Sequence, residues 1–280
     1  MNAFQGTTTR VIPLAIAAVM TMVLSAPAAA QEREANAFTW SGNIPNGRRI
    51  AVHNINGAIR VERSNSNRVE VTADKEWRRG NPRDVRIEQG RVSGDDIVIC
   101  AMWNVESTCD ADGIHTPRRN RDDDNDRDRN RNNDVAVRFT VRVPDGVRVD
   151  VNTVNGELEI SGATAEVEAS TVNGSIRARS TGGPVRASTV NGSIEVAMGS
   201  FGSVSDLEYE TVNGSVVIEV PSNLSAQLDL STVNGRINTD FPITVSGSLS
   251  PRRLRGTIGG GSIRLRASTV NGGITLRRGN

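Results

Sequence analysis

ASTVNGSIRARSTGGPVRASTVNGSIEV, residues 169–196, decides the fold. Within it the cassette Thr171-Val172-Asn173-Gly174 returns as Thr189-Val190-Asn191-Gly192, 18 residues later. Between the copies polarity alternates with period two. Ile176 and Ala178 fall on one face, and Ser175, Arg177 and Arg179 on the other. After Gly182-Gly183 the alternation resumes, with Val185, Ala187 and Thr189 on the apolar side and Arg186 and Ser188 opposite. Period-two alternation is the mark of a strand, and glycine pairs end strands. Each 18-residue unit therefore reads as two short strands, one broken at Asn-Gly and the other at Gly-Gly.

Working outward, the cassette starts again at Thr153, Thr211, Thr232 and Thr269, and a looser copy is Asn54-Ile55-Asn56-Gly57. The spacings from Thr153 to Thr232 are 18, 18, 22 and 21 residues, and the last, to Thr269, is 37. That long interval holds Thr257-Ile258-Gly259-Gly260-Gly261 and reads as an irregular or bulged coil. Asn-Gly between alternating runs also signals a hairpin, which would give an antiparallel meander. A meander has no reason to repeat one tetrapeptide at one phase of every unit. A parallel β-solenoid does, because stacked coils place like residues about 4.8 Å apart, where asparagine amides bond along the stack. Asn155, Asn173, Asn191, Asn213, Asn234 and Asn271 are the expected structural ladder, internal or at a corner. The glycine after each is expected to supply the positive φ of a tight corner.

Composition agrees with a thin core: 36% of residues are hydrophobic but only 3% aromatic, and small and β-branched types dominate. The segment before the repeats is less regular. Ile50-Val52, Val69-Val71, Val85-Ile87, Ile97-Ile99 and Val135 to Val143 read as strands of early coils with longer excursions. Arg118 to Asp134 consists wholly of Arg, Asn and Asp, and with nothing apolar to anchor it a disordered surface loop is expected. The expected division is residues 1–30, 31–145 with that loop, and 146–280 as the repetitive solenoid.

The first thirty residues carry Arg10, the apolar run Val11 to Leu24, and Pro27-Ala28-Ala29-Ala30. That order reads as a secretory signal cleaved after Ala30, which places the mature chain in the periplasm, secreted or at the cell surface. Cys100 and Cys109 are the only cysteines, and in an oxidising compartment they are expected to form one disulfide. Two thiols without a nearby His pair do not make a zinc set, and no metal or cofactor is expected. The three tryptophans, Trp40, Trp77 and Trp103, share no period with the cassettes and suit packing or capping rather than sugar stacking.

Net charge is +1, but its distribution is uneven. After Asp240 there is no acidic residue, while Arg252, Arg253, Arg255, Arg264, Arg266, Arg277 and Arg278 crowd the end. Arg264, Arg266, Arg277 and Arg278 are candidate contacts for an anionic partner. The same arginines would also keep a sheet edge soluble. The last coil, with Ile274 and Leu276, has little sequence after it, so the C-terminal edge is the expected contact or self-association surface.

With these residues in view, the chain resembles a bacterial family of adhesin-like envelope proteins of unknown function with repeated Thr-Val-Asn-Gly coils, related to the head GIN domain. The matching features are the export signal, Phe38-Thr39-Trp40-Ser41-Gly42 and the cassettes, and the likeness runs through Val141-Arg142-Val143-Pro144 to Thr269. It implies a right-handed β-helix-like fold and an envelope location, and it carries no catalytic residues. The Arg/Asn/Asp run departs from the pattern as an insertion.

Parallel β-helices also host polysaccharide-processing enzymes, the alternative reading. Such sites need clustered carboxylates on one outer face. Glu157 with Glu159, and Glu166 with Glu168, share strand faces, a spacing more typical of solvated surface. No phosphate loop, His-Glu-x-x-His or Gly-x-Ser-x-Gly occurs. The expectation is a non-enzyme presenting a binding or scaffolding surface to an envelope glycan, lipid or protein, and not to nucleic acid.

Overall fold

The alternating faces of the cassette units pair in parallel, like residue on like residue. Val167, Ala169, Thr171 and Asn173 of strand Val167–Asn173 lie beside Val185, Ala187, Thr189 and Asn191 of strand Val185–Asn191. Across the Asn-Gly corner, Ile176 and Ala178 lie beside Ile194 and Val196. The computed structural model describes residues 37–279 apart from 91, 93, 118–132, 181, 204 and 246–249. The expected export signal and most of the Arg/Asn/Asp run lie outside the described residues. The last two residues of that run, Asn133 and Asp134, are described, and Asp134 accepts hydrogen bonds from the backbone N–H groups of Arg78, Arg79 and Gly80.

The architecture is an all-β, largely parallel solenoid of two facing sheets, with 11 and 10 strands. Each coil gives one strand to the larger sheet and one to the smaller, and from coil three onward the strand of the larger sheet carries the cassette. In space, eight coils stack in this order. Coil one is Ile97–Met102 with Ala136–Val143, and coil two is Arg49–His53 with Ile59–Arg63. Coils three, four and five are Arg148–Asn155 with Leu158–Ala163, Val167–Asn173 with Ile176–Ser180, and Val185–Asn191 with Ile194–Met198. Coil six is Asp206–Asn213 with Val216–Val220, coil seven Ile263–Asn271 with Ile274–Arg278, and coil eight Ala226–Asn234 with Ile237–Thr239.

Chain order and spatial order therefore part at both ends. After the capping strand Ala37–Gly42 the chain builds coil two, moves outward to build coil one, and returns on the other side as coil three. At the far end it skips a place. Coil eight is made first, and the last coil in sequence is then inserted between six and eight. The 37-residue interval is this excursion. Instead of a bulged coil it holds the strand Arg253–Ile258, which closes the edge antiparallel to coil eight, and the short strand Thr244–Val245, which pairs antiparallel with Arg253–Ile258 in turn. At the opposite end Val69–Glu76 and Ala37–Gly42 cap one sheet and Arg86–Gln89 the other, also antiparallel. The C-terminal coil is thus interior, which corrects the expectation that it forms an open end.

The charge pattern supplies a reason for the insertion. Coil six faces outward with Asp206 and Glu208, and coil eight carries Asp229. Direct stacking would set Glu208 beside Asp229, and like charges directly opposite destabilise a sheet. Arg264 and Arg266 of coil seven lie between, and they pair with Asp206 at 3.4 Å and Glu208 at 3.2 Å. Asp229 pairs with Arg255 of the capping strand at 3.4 Å.

The core between the sheets is a set of stacked aliphatic ranks, such as Leu158, Ile176, Ile194, Val216 and Ile274, all fully buried. Tyr209 is also fully buried, in a rank where its neighbours Ala187 and Ala267 leave it room, and its hydroxyl contacts Met198 Sδ at 3.6 Å.

Candidate binding surface

Three side chains of the cassette meet three environments at one corner of the solenoid. Threonine points inward: Thr153, Thr171, Thr189, Thr211, Thr269 and Thr232 are buried. Each donates its hydroxyl to the corner-glycine carbonyl of the coil before it, for example Thr189 Oγ1 to Gly174 O at 3.0 Å and Thr211 Oγ1 to Gly192 O at 2.8 Å. The threonine rank is therefore a row of stitches between coils, satisfying half-buried corner carbonyls.

Asparagine stands at the exposed corner. Nδ2 of Asn173 donates to Asn155 Oδ1, Asn191 to Asn173, Asn213 to Asn191, and Asn234 to Asn271, each at 2.8 Å, while Asn271 donates to Asn213 at 2.7 Å. The six expected asparagines are brought together in the order 155, 173, 191, 213, 271, 234. Each interior rung uses one amide hydrogen and one oxygen lone pair along the stack, which leaves one of each facing outward.

Five of the corner glycines work by absence of a side chain and not by positive φ, whereas Gly272 has a φ of 159° and Gly57 of the looser copy one of 120°. Gly156, Gly174, Gly192, Gly214 and Gly235 lie outside the left-handed region. A Cβ on Gly192 would sit 1.9 Å from Gly174 O, so backbone must approach backbone there.

Valine points outward, and sequence reasoning missed what that creates. Val172, Val190, Val212, Val270 and Val233 are each 38–55% exposed in consecutive coils. Period two already placed Val190 opposite the inward Thr189; the signal was present but the outward rank was not followed. Beside it, in coils four to six, runs a serine rank after the corner, in which Ser175 Oγ accepts from Ser193 N–H and Ser193 Oγ from Ser215 N–H; the same position is Glu157 in coil three and Arg236 in coil eight. The result is a band of valine, amide and hydroxyl repeating about every 4.8 Å.

The surrounding exterior is ionic by contrast. Glu157 and Glu195 both engage Arg177, Glu159 pairs with Arg60 at 2.8 Å, and Glu166 is held by Arg148 and Arg186. Of the candidate anion contacts, Arg264 and Arg266 have the carboxylate partners described above. Arg278 lies over the Phe241 ring at 5.2 Å and its N–H donates to Asp240. Arg277 stands in register with Glu219 and has no ion pair among the described residues. It borders a shallow groove of about 710 Å³ on the smaller sheet, with Arg179, Glu195 and Glu219.

Cys100 and Cys109 are joined, with Cα atoms 5.9 Å apart. The bond ties the hairpin Thr108–Asp110 and Gly113–His115 to coil one. Asp110, Asp112 and His115 gather at its tip, but Asp110 already accepts from the Asp112 N–H and meets His115 Nε2 at 2.8 Å. Those bonds hold the Asp110 carboxyl below its ordinary range, the backbone N–H of Asp112 first. Beneath the hairpin, His53 is largely buried and its Nε2 has no partner. Burial first, then the Arg49 charge, pushes its pKa down to about 4, with Asp110 opposing. Trp40 and Trp103 pack partly against the core, Trp103 donating to Val135 O at 3.2 Å, while Trp77 is 41% exposed.

The family model described as Toastrack DUF4097 matches residues 41–277. The chain belongs to this Toastrack family. Two solved structures are similar to it. One is a "putative cell adhesion protein" from Clostridium sporogenes, at 9% identity over 87% of this chain and 99% of that one, with a TM-score of 0.44. The other is a "putative adhesin" from Bacteroides fragilis, at 10% identity over 86% of this chain and 96% of that one, with a TM-score of 0.32. No curated protein matches the chain.

Proposed function

We propose that this Toastrack chain is an exported, non-catalytic envelope protein that acts as an adhesin-like binding surface, and that the valine–asparagine–serine band is the surface it presents. The single supporting observation is the contrast between this band and the rest of the exterior. Many outward charges elsewhere pair between coils, as Glu157 and Glu195 do with Arg177 and Glu166 does with Arg148 and Arg186, whereas the corner of coils four to six repeats one apolar side chain, one amide with spare valences and one hydroxyl. A regular, uncharged face with spare donors and acceptors suits a regular, uncharged, hydroxyl-rich chain such as an envelope glycan. Its C–H faces would lie on the valines while its hydroxyls meet the amides. Residues 1–30 serve as the export signal in this reading, 31–145 as irregular coils and 146–280 as the repetitive face. The relation to the head GIN domain belongs to the same proposal.

The non-catalytic reading is supported by the carboxylates themselves. Glu157, Glu159, Glu166 and Glu195 are each engaged by an arginine instead of standing free to act as acid or base. A second reading uses Arg264, Arg266, Arg277 and Arg278 to hold an anionic partner. The absence of an ion pair at Arg277 among the described residues favours it at that position.

The test is retention of the mature protein on its own envelope polysaccharide fraction, with the triple variant Val172→Glu, Val190→Glu, Val212→Glu alongside. The expected result is salt-insensitive retention, reduced at least roughly tenfold in the variant, the factor that about 1.4 kcal/mol supplies. Equal retention of both proteins would overturn the corner as the site. Retention abolished by salt and unchanged in the variant would move the site to the arginines.

A further inference from the structure

Asn-Gly is the dipeptide at which an asparagine amide is most readily lost, because glycine leaves its own nitrogen unhindered for attack on the preceding side chain. The chain holds eight: at 46–47, 56–57, 155–156, 173–174, 191–192, 213–214, 234–235 and 271–272. Sequence gives no ground to rank them. Hydrogen bonding does.

At seven of the eight the glycine N–H is held. Gly47 donates to Gly146 O at 2.8 Å and Gly57 to Asn155 O at 2.8 Å. Gly156, Gly174, Gly192 and Gly214 donate to the asparagine carbonyl of the next coil in space, Asn173, Asn191, Asn213 and Asn271, each at 3.0 Å. Gly272 donates to Asn234 O at 3.2 Å. All the bonds along the ladder point toward the same end of the solenoid. The outermost cassette has no next coil, and among the described residues the Gly235 N–H has no acceptor. Asn234 itself is exposed at the last rung. Its Nδ2 reaches Asn271, but among the described residues its Oδ1 receives no donor.

We infer that Asn234–Gly235 is a site of spontaneous modification, and that the rest of the ladder is protected by its own coil-to-coil bonds. The reaction is an internal displacement. The Gly235 nitrogen forms a bond to Asn234 Cγ, the Cγ–Nδ2 bond breaks, and ammonia leaves after proton transfer. Water then opens the five-membered imide to aspartate or isoaspartate, so the net change is one water gained and one ammonia lost. A nitrogen whose hydrogen is already bonded to a neighbouring coil must first leave that bond and rotate toward Cγ, which adds to the barrier at every other rung. The consequence is local. A carboxylate replaces the last amide of the ladder, and the isoaspartate product adds a methylene to the backbone of coil eight.

The structure and the sequence point to different residues. Asn271 belongs to the last cassette in the chain, and in a stack that followed chain order it would be the unprotected one. Insertion of coil seven protects it and leaves Asn234 outermost.

The experiment is peptide mapping by mass spectrometry of the native protein, held for increasing times in mildly alkaline buffer. The same protein unfolded in denaturant serves as the reference for intrinsic rates. Unfolded, the eight sites should lose ammonia at comparable rates. Folded, Asn234 should react roughly tenfold or more faster than Asn173, Asn191, Asn213 and Asn271, a factor equal to one modest hydrogen bond. The proposal is overturned if Asn271 or any interior rung keeps pace with Asn234 in the folded protein, or if Asn234 is as slow as they are.

Discussion

Lowering the pH should weaken this protein through His53 before general acid unfolding sets in. In the unfolded chain a histidine has a pKa near 6.5, whereas burial and the Arg49 charge lower that of His53 to about 4. The folded pKa is depressed, so between these values the unfolded state binds more protons than the folded one. The stabilising contribution is therefore complete above about pH 6.5 and is lost as pH falls toward 4. At about 1.4 kcal/mol per pH unit, a gap of about 2.5 units amounts to about 3 kcal/mol. Urea unfolding of the wild type and of His53→Leu, followed at about pH 7 and about pH 4, isolates the effect, because carboxylate titrations are common to both proteins. The wild type should lose about 3 kcal/mol more than the variant over that interval. Equal losses in the two proteins would show that the imidazole is hydrated or paired, and would refute its assignment as a neutral buried group.

Two further predictions test the stack. Thr189→Val removes the hydroxyl that binds Gly174 O, and should cost about 1 kcal/mol, seen as a fall of roughly 2–4 °C in Tm; an unchanged Tm would mean the threonine rank carries no load. Cysteines placed at Glu208 and Arg266, which are partners in adjacent parallel strands, should form a disulfide on oxidation, mapped as a cross-linked peptide, whereas cysteines at Glu208 and Asp229, one strand further apart, should not; the reverse outcome would restore a stack that follows chain order.

Much of the fold was legible in the residues around Thr171 to Val196. Period-two alternation is a local property, so it gave the strands and their inward faces directly, and repetition of one cassette at one phase required like to stack on like. The asparagine alignment follows from the same repeat. The valine rank was equally local and could have been read from its position opposite threonine. The reason for the corner glycines could not, because a clash with the backbone of another coil has no signature within one coil.

What the sequence by itself determined is everything that repeats: two strands per unit, parallel stacking, a thin aliphatic core and an asparagine edge. What only the tertiary structure decided is which coil lies beside which. The arginines after Asp240 looked like a basic end, yet Arg264 and Arg266 sit between coil six and coil eight against Asp206 and Glu208. A repeat makes every coil a geometrically acceptable neighbour of every other, so its periodicity cannot choose among the orders. Complementary charge and side-chain volume on non-adjacent segments make that choice, and they act only once the chain has folded back on itself.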